Sequence, residues 1–170
     1  ALKSEFYGGY KMTKIHEVLI VGGGASGLAT ASSLRKRNPK LDITVIEPAE
    51  KHYYQPGWTM VGAGVFNKEQ TERTMDSVWP SGIKRIKSKV VTFEPENSLV
   101  TITSGEKISY KILVVAAGLK LDWEAVEGLE DALGSNGVTS NYRYDLAPYT
   151  WELVQKMSGK SAIFTQPPMP

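Results

Sequence analysis

The stretch VLIVGGGASGLATASSLRKRNP, residues 18–39, decides the fold class of this chain. Its first four residues, Val18 to Val21, are a continuous apolar run that ends at glycines, which is typical of a strand buried on both faces of a parallel sheet. Gly22, Gly24 and Gly27 then form the pattern G-x-G-x-x-G. A glycine-rich turn directly after a strand predicts that a helix follows it.

The residues after the glycines predict that helix and a second strand. Apolar residues recur every three positions at Leu28, Ala31 and Leu34, and a basic run precedes Asn38-Pro39, where the helix should stop. The β-branched stretch from Ile43 to Ile46 predicts the second strand. Together these elements form a βαβ unit, so we expect an α/β protein with a Rossmann-like domain and a parallel sheet.

The glycines and the acid that follows the second strand predict a dinucleotide site. Gly22 allows the tight turn, Gly24 lets backbone N–H groups approach a pyrophosphate at the helix N-terminus, and Gly27 lets helix and strand pack closely. Glu47 stands 20 residues after Gly27, where a carboxylate can accept hydrogen bonds from both hydroxyls of an adenosine ribose. It would also repel a 2′-phosphate, which argues against NADP.

The middle of the chain predicts a β-meander that leads into another strand of the sheet. Short strand-like segments lie at Val90 to Phe93, Leu99 to Thr103 and Lys107 to Tyr110, separated by turn residues. They are followed by Ile112 to Ala116, which we expect to be a second buried strand, ended by Gly118.

The remaining segments carry weaker patterns. Residues 52–64 have no regular period and predict a loop with a helical turn. Tyr149 to Met157 predicts a helix and Ser161 to Thr165 a strand. The basic run Lys84, Arg85, Lys87 and Lys89 predicts a solvated edge strand, because charged side chains protect sheet edges from unwanted pairing.

We expect three segments from this organisation. Residues 1–14 are an extension or a tag remnant, with Met12 as a candidate natural start, and residues 15–148 form the first segment of the cofactor-binding domain. Residues 149–170 begin a second dinucleotide-like domain that is incomplete.

Composition excludes several classes of function. The chain has 170 residues, 41% of them hydrophobic, and a net charge of +2, which gives no reason to expect nucleic acid as a partner. It has no cysteine, so disulfide, thiolate and cysteine-zinc chemistry cannot come from this chain. Its two histidines have no supporting ligand pattern, and we expect no metal site. Its longest apolar run is far shorter than the roughly 20 residues of a membrane-spanning helix.

Two segments resemble a known family. The meander and the strand that ends in AAG, residues 116–118, resemble the second motif of the two-dinucleotide-domain flavoprotein reductases. The segment HYYQPGWT, residues 52–59, followed by VGAG, residues 61–64, resembles the part of sulfide:quinone oxidoreductases that runs past the flavin. The resemblance extends over residues 15–170 and is strongest to the mitochondrial enzymes and their bacterial relatives.

The resemblance implies FAD as the cofactor and no catalytic residue within this chain. It implies that the cofactor is contacted by these residues: Gly22, Gly24, Ala25, Ser26, Gly27, Glu47, Gln55, Pro56, Val90 and Gly118. For Tyr53, Tyr54 and Trp58, hydrophobic packing of the loop is at least as good an interpretation as contact with the redox centre.

The resemblance also implies an activity, oxidation of sulfide with reduction of quinone by a full-length protein at the bacterial or mitochondrial inner membrane. Members of the family use a pair of cysteines that this sequence lacks, so we expect an N-terminal fragment that is inactive alone, binds FAD weakly or not at all, and leaves peripheral membrane contact to the missing C-terminal part. Alternatives are an NADH:quinone dehydrogenase, another two-domain flavoprotein reductase, or a non-catalytic nucleotide-binding fragment. The closing residues 166–170, QPPMP, argue against an enzyme that uses NADH. Such an enzyme needs backbone N–H donors at this turn to bind the pyrophosphate of NADH, and prolines lack them.

Overall fold

The computed structural model describes residues 6–7, 10–11, 15–159 and 161–166. The chain divides into two compact units. The first comprises Ala1–Tyr53 and Arg73–Leu121, and the second Tyr54–Glu72 and Asp122–Pro170. The predicted boundaries after residues 14 and 148 stay predictions. Met12 and residues 167–170 lie outside the described residues, and so does the expected proline-rich turn.

The described residues form ten strands and five α-helices. The strands are β1 (Phe6–Tyr7), β2 (Tyr10–Lys11), β3 (His16–Val21), β4 (Ile43–Ile46), β5 (Lys51–Tyr53), β6 (Glu72–Thr74), β7 (Lys84–Ile86), β8 (Val90–Glu94), β9 (Leu99–Ile102) and β10 (Lys107–Val115). The α-helices are α1 (Ala25–Arg37), α2 (Gly57–Gly62), α3 (Met75–Val78), α4 (Leu129–Ala132) and α5 (Ala147–Lys156).

The first unit is built on a six-stranded sheet with the order β7-β4-β3-β10-β9-β8. Strand β3 pairs in parallel with β4 on one side and β10 on the other, and β4 pairs in parallel with β7. Val21 stands opposite both Ile46 and Val115, so three strands end at one level. The predicted βαβ unit, parallel sheet and Rossmann-like class are confirmed.

The meander is confirmed, but the burial predicted for the strand after it is wrong. Strands β8, β9 and β10 are antiparallel neighbours, and β10 continues without a break from the meander into the parallel sheet. Ile112 is 57% exposed and Val115 61% exposed. The reason lies in the pairing: β9 lies beside only Lys107 to Ser109, so no described strand lies on that side of the rest of β10.

The core of the first unit lies on both faces of the sheet. Helix α1 covers one face, where Ala31 and Leu34 pack against the apolar side chains of β3 and β4. A second cluster joins side chains of β3 and β4 to side chains of the meander, and it consists of Leu19, Val21, Ile46, Val100, Ile102, Ile108 and Tyr110. The apolar face of α1 that the sequence predicted is therefore the buried one.

The second unit is helical. Helix α2 occupies the segment predicted as a loop with a helical turn, and it packs against α5, which confirms the helix predicted near Tyr149 to Met157. The strand predicted from Ser161 to Thr165 is wrong, because residues 161–166 have no regular structure. Ile163 and Phe164 are 89% and 87% exposed, and an isolated extended segment has no ladder to stabilise it.

The basic run is an edge strand, as predicted, but it is not wholly solvated. Strand β7 is the edge of the sheet beside β4, and Lys84 and Lys87 are exposed. Between them, the Arg85 side chain is only 9% exposed. Its guanidinium lies 5.1 Å from the centroid of the Trp79 ring.

Candidate cofactor site

The turn after β3 has a shape that only glycine allows at position 22. Gly22 has φ +104°, and a Cβ atom there would lie 2.2 Å from the carbonyl oxygen of Ala116. The amide of Ala116 in turn donates to the Val21 carbonyl at 2.8 Å. The close approach therefore brings the segment that precedes Gly118 against the glycine-rich turn.

Gly27 and Gly24 differ in what surrounds them. Gly27 is buried, with no room for a Cβ atom between α1 and the Gly22 carbonyl, which is the close packing expected from the sequence. Gly24 is exposed, has φ −71° and ψ −172°, and a Cβ atom there would meet nothing within 4 Å. Because neither the backbone nor a neighbour requires glycine at position 24, the space in front of it is free for a bound group.

The N-terminus of α1 opens into that space. Gly24 is its N-cap, no side chain caps the helix, and its first turn contains no acidic residue. Ala25 and Ser26 are exposed. Since the first N–H groups of a helix have no partner within the helix and lie at the positive end of its dipole, this end suits an anion such as a pyrophosphate.

Glu47 is held beside the same turn by two backbone amides. Its Oε2 accepts a hydrogen bond of 2.6 Å from the Gly23 amide, and its Oε1 accepts one of 2.7 Å from the Ala49 amide. An ionised carboxylate offers about four acceptor positions, so about two remain for further donors. Two vicinal ribose hydroxyls are donors of the right kind.

Gly23 is a site residue that the sequence analysis missed. A Cβ atom on Gly23 would lie 2.7 Å from Cγ of Glu47, so glycine at this position is what lets the carboxylate reach the turn. The motif G-x-G-x-x-G treats this position as variable. The signal available in the sequence was the third glycine of the run from Gly22 to Gly24.

Val90 and Gly118 lie in the same unit. Val90 packs against the apolar cluster that contains Val21 and Ile46, the last residues of β3 and β4. Gly118 follows β10, is exposed and has φ +77°, with open space where a Cβ would be. The first unit thus brings the predicted glycines and Glu47 together at the ends of its parallel strands, with Val90 on the cluster beneath them.

Gln55 and Pro56 lie in the second unit. Pro56 is exposed and is the N-cap of α2, and the carbonyl of Gln55 accepts a hydrogen bond from the Trp58 amide at 2.9 Å. The Trp58 ring lies 6.1 Å from that of Tyr144, centroid to centroid, which supports the packing interpretation of this tryptophan. Contact of Gln55 and Pro56 with a cofactor stays a prediction.

The residues of the first unit fit the adenosine diphosphate part of a dinucleotide. The open helix N-terminus supplies donors for the pyrophosphate, Gly24 leaves room for it, and Glu47 supplies acceptors for the ribose. This combination is the geometry by which dinucleotide-binding βαβ units hold their ligands.

Comparison with known proteins agrees with this geometry. Residues 16–149 match the family of pyridine nucleotide-disulphide oxidoreductases. The chain belongs to this family. Its relatives include the mitochondrial sulfide:quinone oxidoreductase of Dictyostelium discoideum, which is 45% identical over 92% of this chain and 35% of its own length. The mitochondrial enzyme of the same name from Mus musculus is 36% identical over 91% of this chain and 34% of its own length.

A solved structure supports the same relationship. The sulfide:quinone oxidoreductase of Aquifex aeolicus matches 83% of this chain and 32% of its own chain, with a TM-score of 0.65 and 30% identity. These proteins are FAD-binding flavoproteins, so the expected cofactor is confirmed, and so is the resemblance to sulfide:quinone oxidoreductases. The chain spans about a third of the length of these relatives. Among the helices of the described residues, none combines the length and apolar character needed to cross a bilayer.

Proposed function

We propose that this chain is the FAD-binding part of a flavin-dependent oxidoreductase that oxidises sulfide and reduces quinone. The observation that carries the proposal is the Glu47 carboxylate held at 2.6 Å from the Gly23 amide beside an open helix N-terminus. That arrangement occurs in a chain that is 45% identical to a sulfide:quinone oxidoreductase over 92% of its length.

Each residue of the site has a defined task in this proposal. The backbone N–H groups of Ala25 and Ser26 bind the pyrophosphate, and Glu47 orients the adenosine ribose through both of its oxygens. Gly22 and Gly27 hold the strand, turn and helix close enough for these groups to converge. When bound, FAD supplies the two-electron redox chemistry.

In this proposal the reaction with sulfide does not take place on residues of this chain. The sequence has no cysteine, so it offers no thiolate to react with sulfide. We therefore propose that the reacting thiols and the quinone site belong to a longer protein that contains this chain. Three sulfide:quinone oxidoreductases among its relatives are named as mitochondrial, and we propose peripheral association of that longer protein with an inner membrane.

A second candidate takes electrons from NADH. The NADH-rubredoxin oxidoreductase of Clostridium acetobutylicum is 35% identical over 111 residues, which is 62% of this chain and 28% of that protein. Both candidate functions use the same FAD-binding residues of this chain. They differ in the electron donor, so a test must measure whether sulfide or NADH reduces the flavin.

The test uses the longer protein, purified with its flavin and kept free of oxygen. Sulfide should bleach the flavin absorbance, a quinone should restore it, and NADH should leave it unchanged on the same time scale. Rapid bleaching by NADH without any effect of sulfide would favour the second candidate. If the purified protein contains no flavin and takes up none, the proposal of an FAD-binding part is wrong.

A further inference from the structure

The arginine of the edge strand is linked to Glu47 through the backbone of one residue, Ala49. Arg85 donates from Nη2 to the carbonyl oxygen of Ala49, and the amide of the same Ala49 donates to Oε1 of Glu47 at 2.7 Å. The other carboxylate oxygen of Glu47 accepts from Gly23 at 2.6 Å. The hydrogen bonds therefore form a continuous chain from β7 to the glycine-rich turn.

Arg85 is itself fixed on several sides. Its Nη1 donates to Oδ1 of Asp76 at 3.0 Å, and its Nη2 lies 3.9 Å from Oε1 of Glu50. The guanidinium lies over the ring of Trp79, whose own Nε1 donates to the Ile83 carbonyl at 2.9 Å. A planar, permanently charged guanidinium held over an aromatic ring loses little freedom when it binds a carbonyl.

Backbone hydrogen bonds also hold the two ends of the turn from Glu47 to Glu50. The Glu47 amide donates to the Ile86 carbonyl at 3.0 Å, and the Glu50 carbonyl accepts from the Met75 amide at 2.8 Å. Both bonds fix the ends of the turn. The contact from Arg85 fixes its middle, at Ala49, which carries the amide that holds the carboxylate.

We propose that Arg85 is a positioning residue for the cofactor: by binding the Ala49 carbonyl it fixes the backbone of Ala49, whose amide holds the Glu47 carboxylate in the orientation that receives the ribose. The proposal rests on the FAD site proposed above. It assigns a role to a residue that the sequence pattern placed in a solvated basic run, and that role requires arginine rather than any cation, since only a guanidinium has two separate nitrogens that donate to Asp76 and Ala49 at once.

The first test needs no cofactor and uses the 170-residue chain. Amide hydrogen exchange is measured by NMR in the wild type and in Arg85→Met. Exchange of the Ala49 amide should accelerate by about tenfold, the resonance of the Gly23 amide should shift, and the amides of Leu19 and Val45 in the sheet should not change. Gly23 lies in the turn after β3 and Arg85 lies in β7, so a response of the Gly23 amide reports transmission through Glu47.

The matched control is Arg35. It also donates to two backbone carbonyls, those of Pro39 at 2.5 Å and Gly82 at 2.7 Å, at a place away from the turn of Glu47. Arg35→Met should leave the Ala49 and Gly23 amides unchanged. Arg85→Lys, which keeps the charge but not the planar donor pair, tests the same idea if Arg85→Met folds poorly, and it should give an intermediate response.

The second test measures FAD dissociation constants in the longer protein by a double-mutant cycle. Arg85→Met should raise the constant by about tenfold in the wild-type background and by less than about twofold in the background of Glu47→Gln. Equal effects in both backgrounds, or unchanged Ala49 and Gly23 amides in the first test, would overturn the positioning role. If the wild-type protein binds no FAD, the proposed function fails, while the exchange experiment still decides whether Arg85 orients Glu47.

Discussion

A Cβ atom on Gly27 would lie 1.8 Å from the carbonyl oxygen of Gly22. The first turn of α1 therefore rests directly on the glycine-rich turn, and the oxygen cannot move away easily, because Gly22 is itself confined by Ala116. Gly24 lies between these two glycines and has open space where they have contact. Three glycines of one motif thus serve two purposes, packing at positions 22 and 27 and access at position 24.

The first prediction separates these two purposes. Gly27→Ala should destabilise the 170-residue chain by about 3 kcal/mol, because a methyl group must displace backbone. Gly24→Ala should change the free energy of unfolding by less than about 1 kcal/mol, since its φ of −71° is open to any residue. In the longer protein, Gly24→Ala should weaken FAD binding by about tenfold.

Urea unfolding and FAD titration measure the two quantities. If Gly24→Ala bound FAD as tightly as the wild type, the cofactor would not approach that backbone.

The second prediction concerns the acid of the site. Glu47→Ala should raise the FAD dissociation constant of the longer protein by about 10- to 150-fold, which corresponds to about 1.5–3 kcal/mol for hydrogen bonds to a charged group. Glu96, an exposed acid in the turn between β8 and β9, provides the control, and Glu96→Ala should bind FAD like the wild type. Isothermal titration of the two variants is the measurement. Equal affinities for both would remove the ribose role of Glu47.

The βαβ unit was predictable because its signals are local. An apolar run, a glycine turn, a three-residue apolar period and a helix stop at Asn38-Pro39 all lie within one short stretch, and each acts on its own neighbours. The predicted helix end and the observed C-cap at Asn38 therefore coincide.

The errors lie where structure depends on distant residues. The strand expected from Ser161 to Thr165 has suitable residues, but a strand needs a partner and its exposed side chains show none among the described residues. The burial of Arg85 and the fit of Gly23 to Glu47 are set by contacts between segments far apart in sequence. No pattern within a segment reports such contacts. The basic residues around Arg85 therefore predicted a solvated side chain, although that side chain is only 9% exposed.

The third prediction is a pH dependence in the second unit. Arg143 donates from Nε and Nη2 to the two oxygens of Asp145, at 3.1 and 2.5 Å, and this pairing lowers the pKa of the carboxyl. A lowered pKa in the folded state means that the pair stabilises the fold above the unfolded pKa of about 3.9, and that the benefit disappears as the pH falls through the lower folded value.

The variant Asp145→Asn should therefore cost up to about 1 kcal/mol of stability at pH 7, because the pair is partly exposed, and almost nothing near pH 2. Denaturant unfolding of both proteins at the two pH values is the measurement. A difference that persisted unchanged at the acidic pH would show that the ion pair is not its cause.

The last prediction concerns the apolar surface at the end of β10. Ile112 and Val115 are more than half exposed, and Leu119, just beyond the strand, is 93% exposed. The described residues place a strand on only one side of this part of β10, so the exposed apolar side chains lie beside a sheet edge that no described strand covers. Such a surface favours association between chains.

We expect the 170-residue chain to self-associate as its concentration rises, and the double variant Ile112→Thr with Val115→Thr to do so at least about tenfold more weakly, because threonine keeps the β-propensity while it removes apolar area. Sedimentation velocity over a range of concentrations measures this. Val65, 60% exposed and in the second unit, supplies the control, since Val65→Thr removes a similar exposed group elsewhere. If Val65→Thr weakened association as much as the double variant, general hydrophobicity and not the surface of β10 would be responsible; a chain that stayed monomeric throughout would contradict the prediction outright.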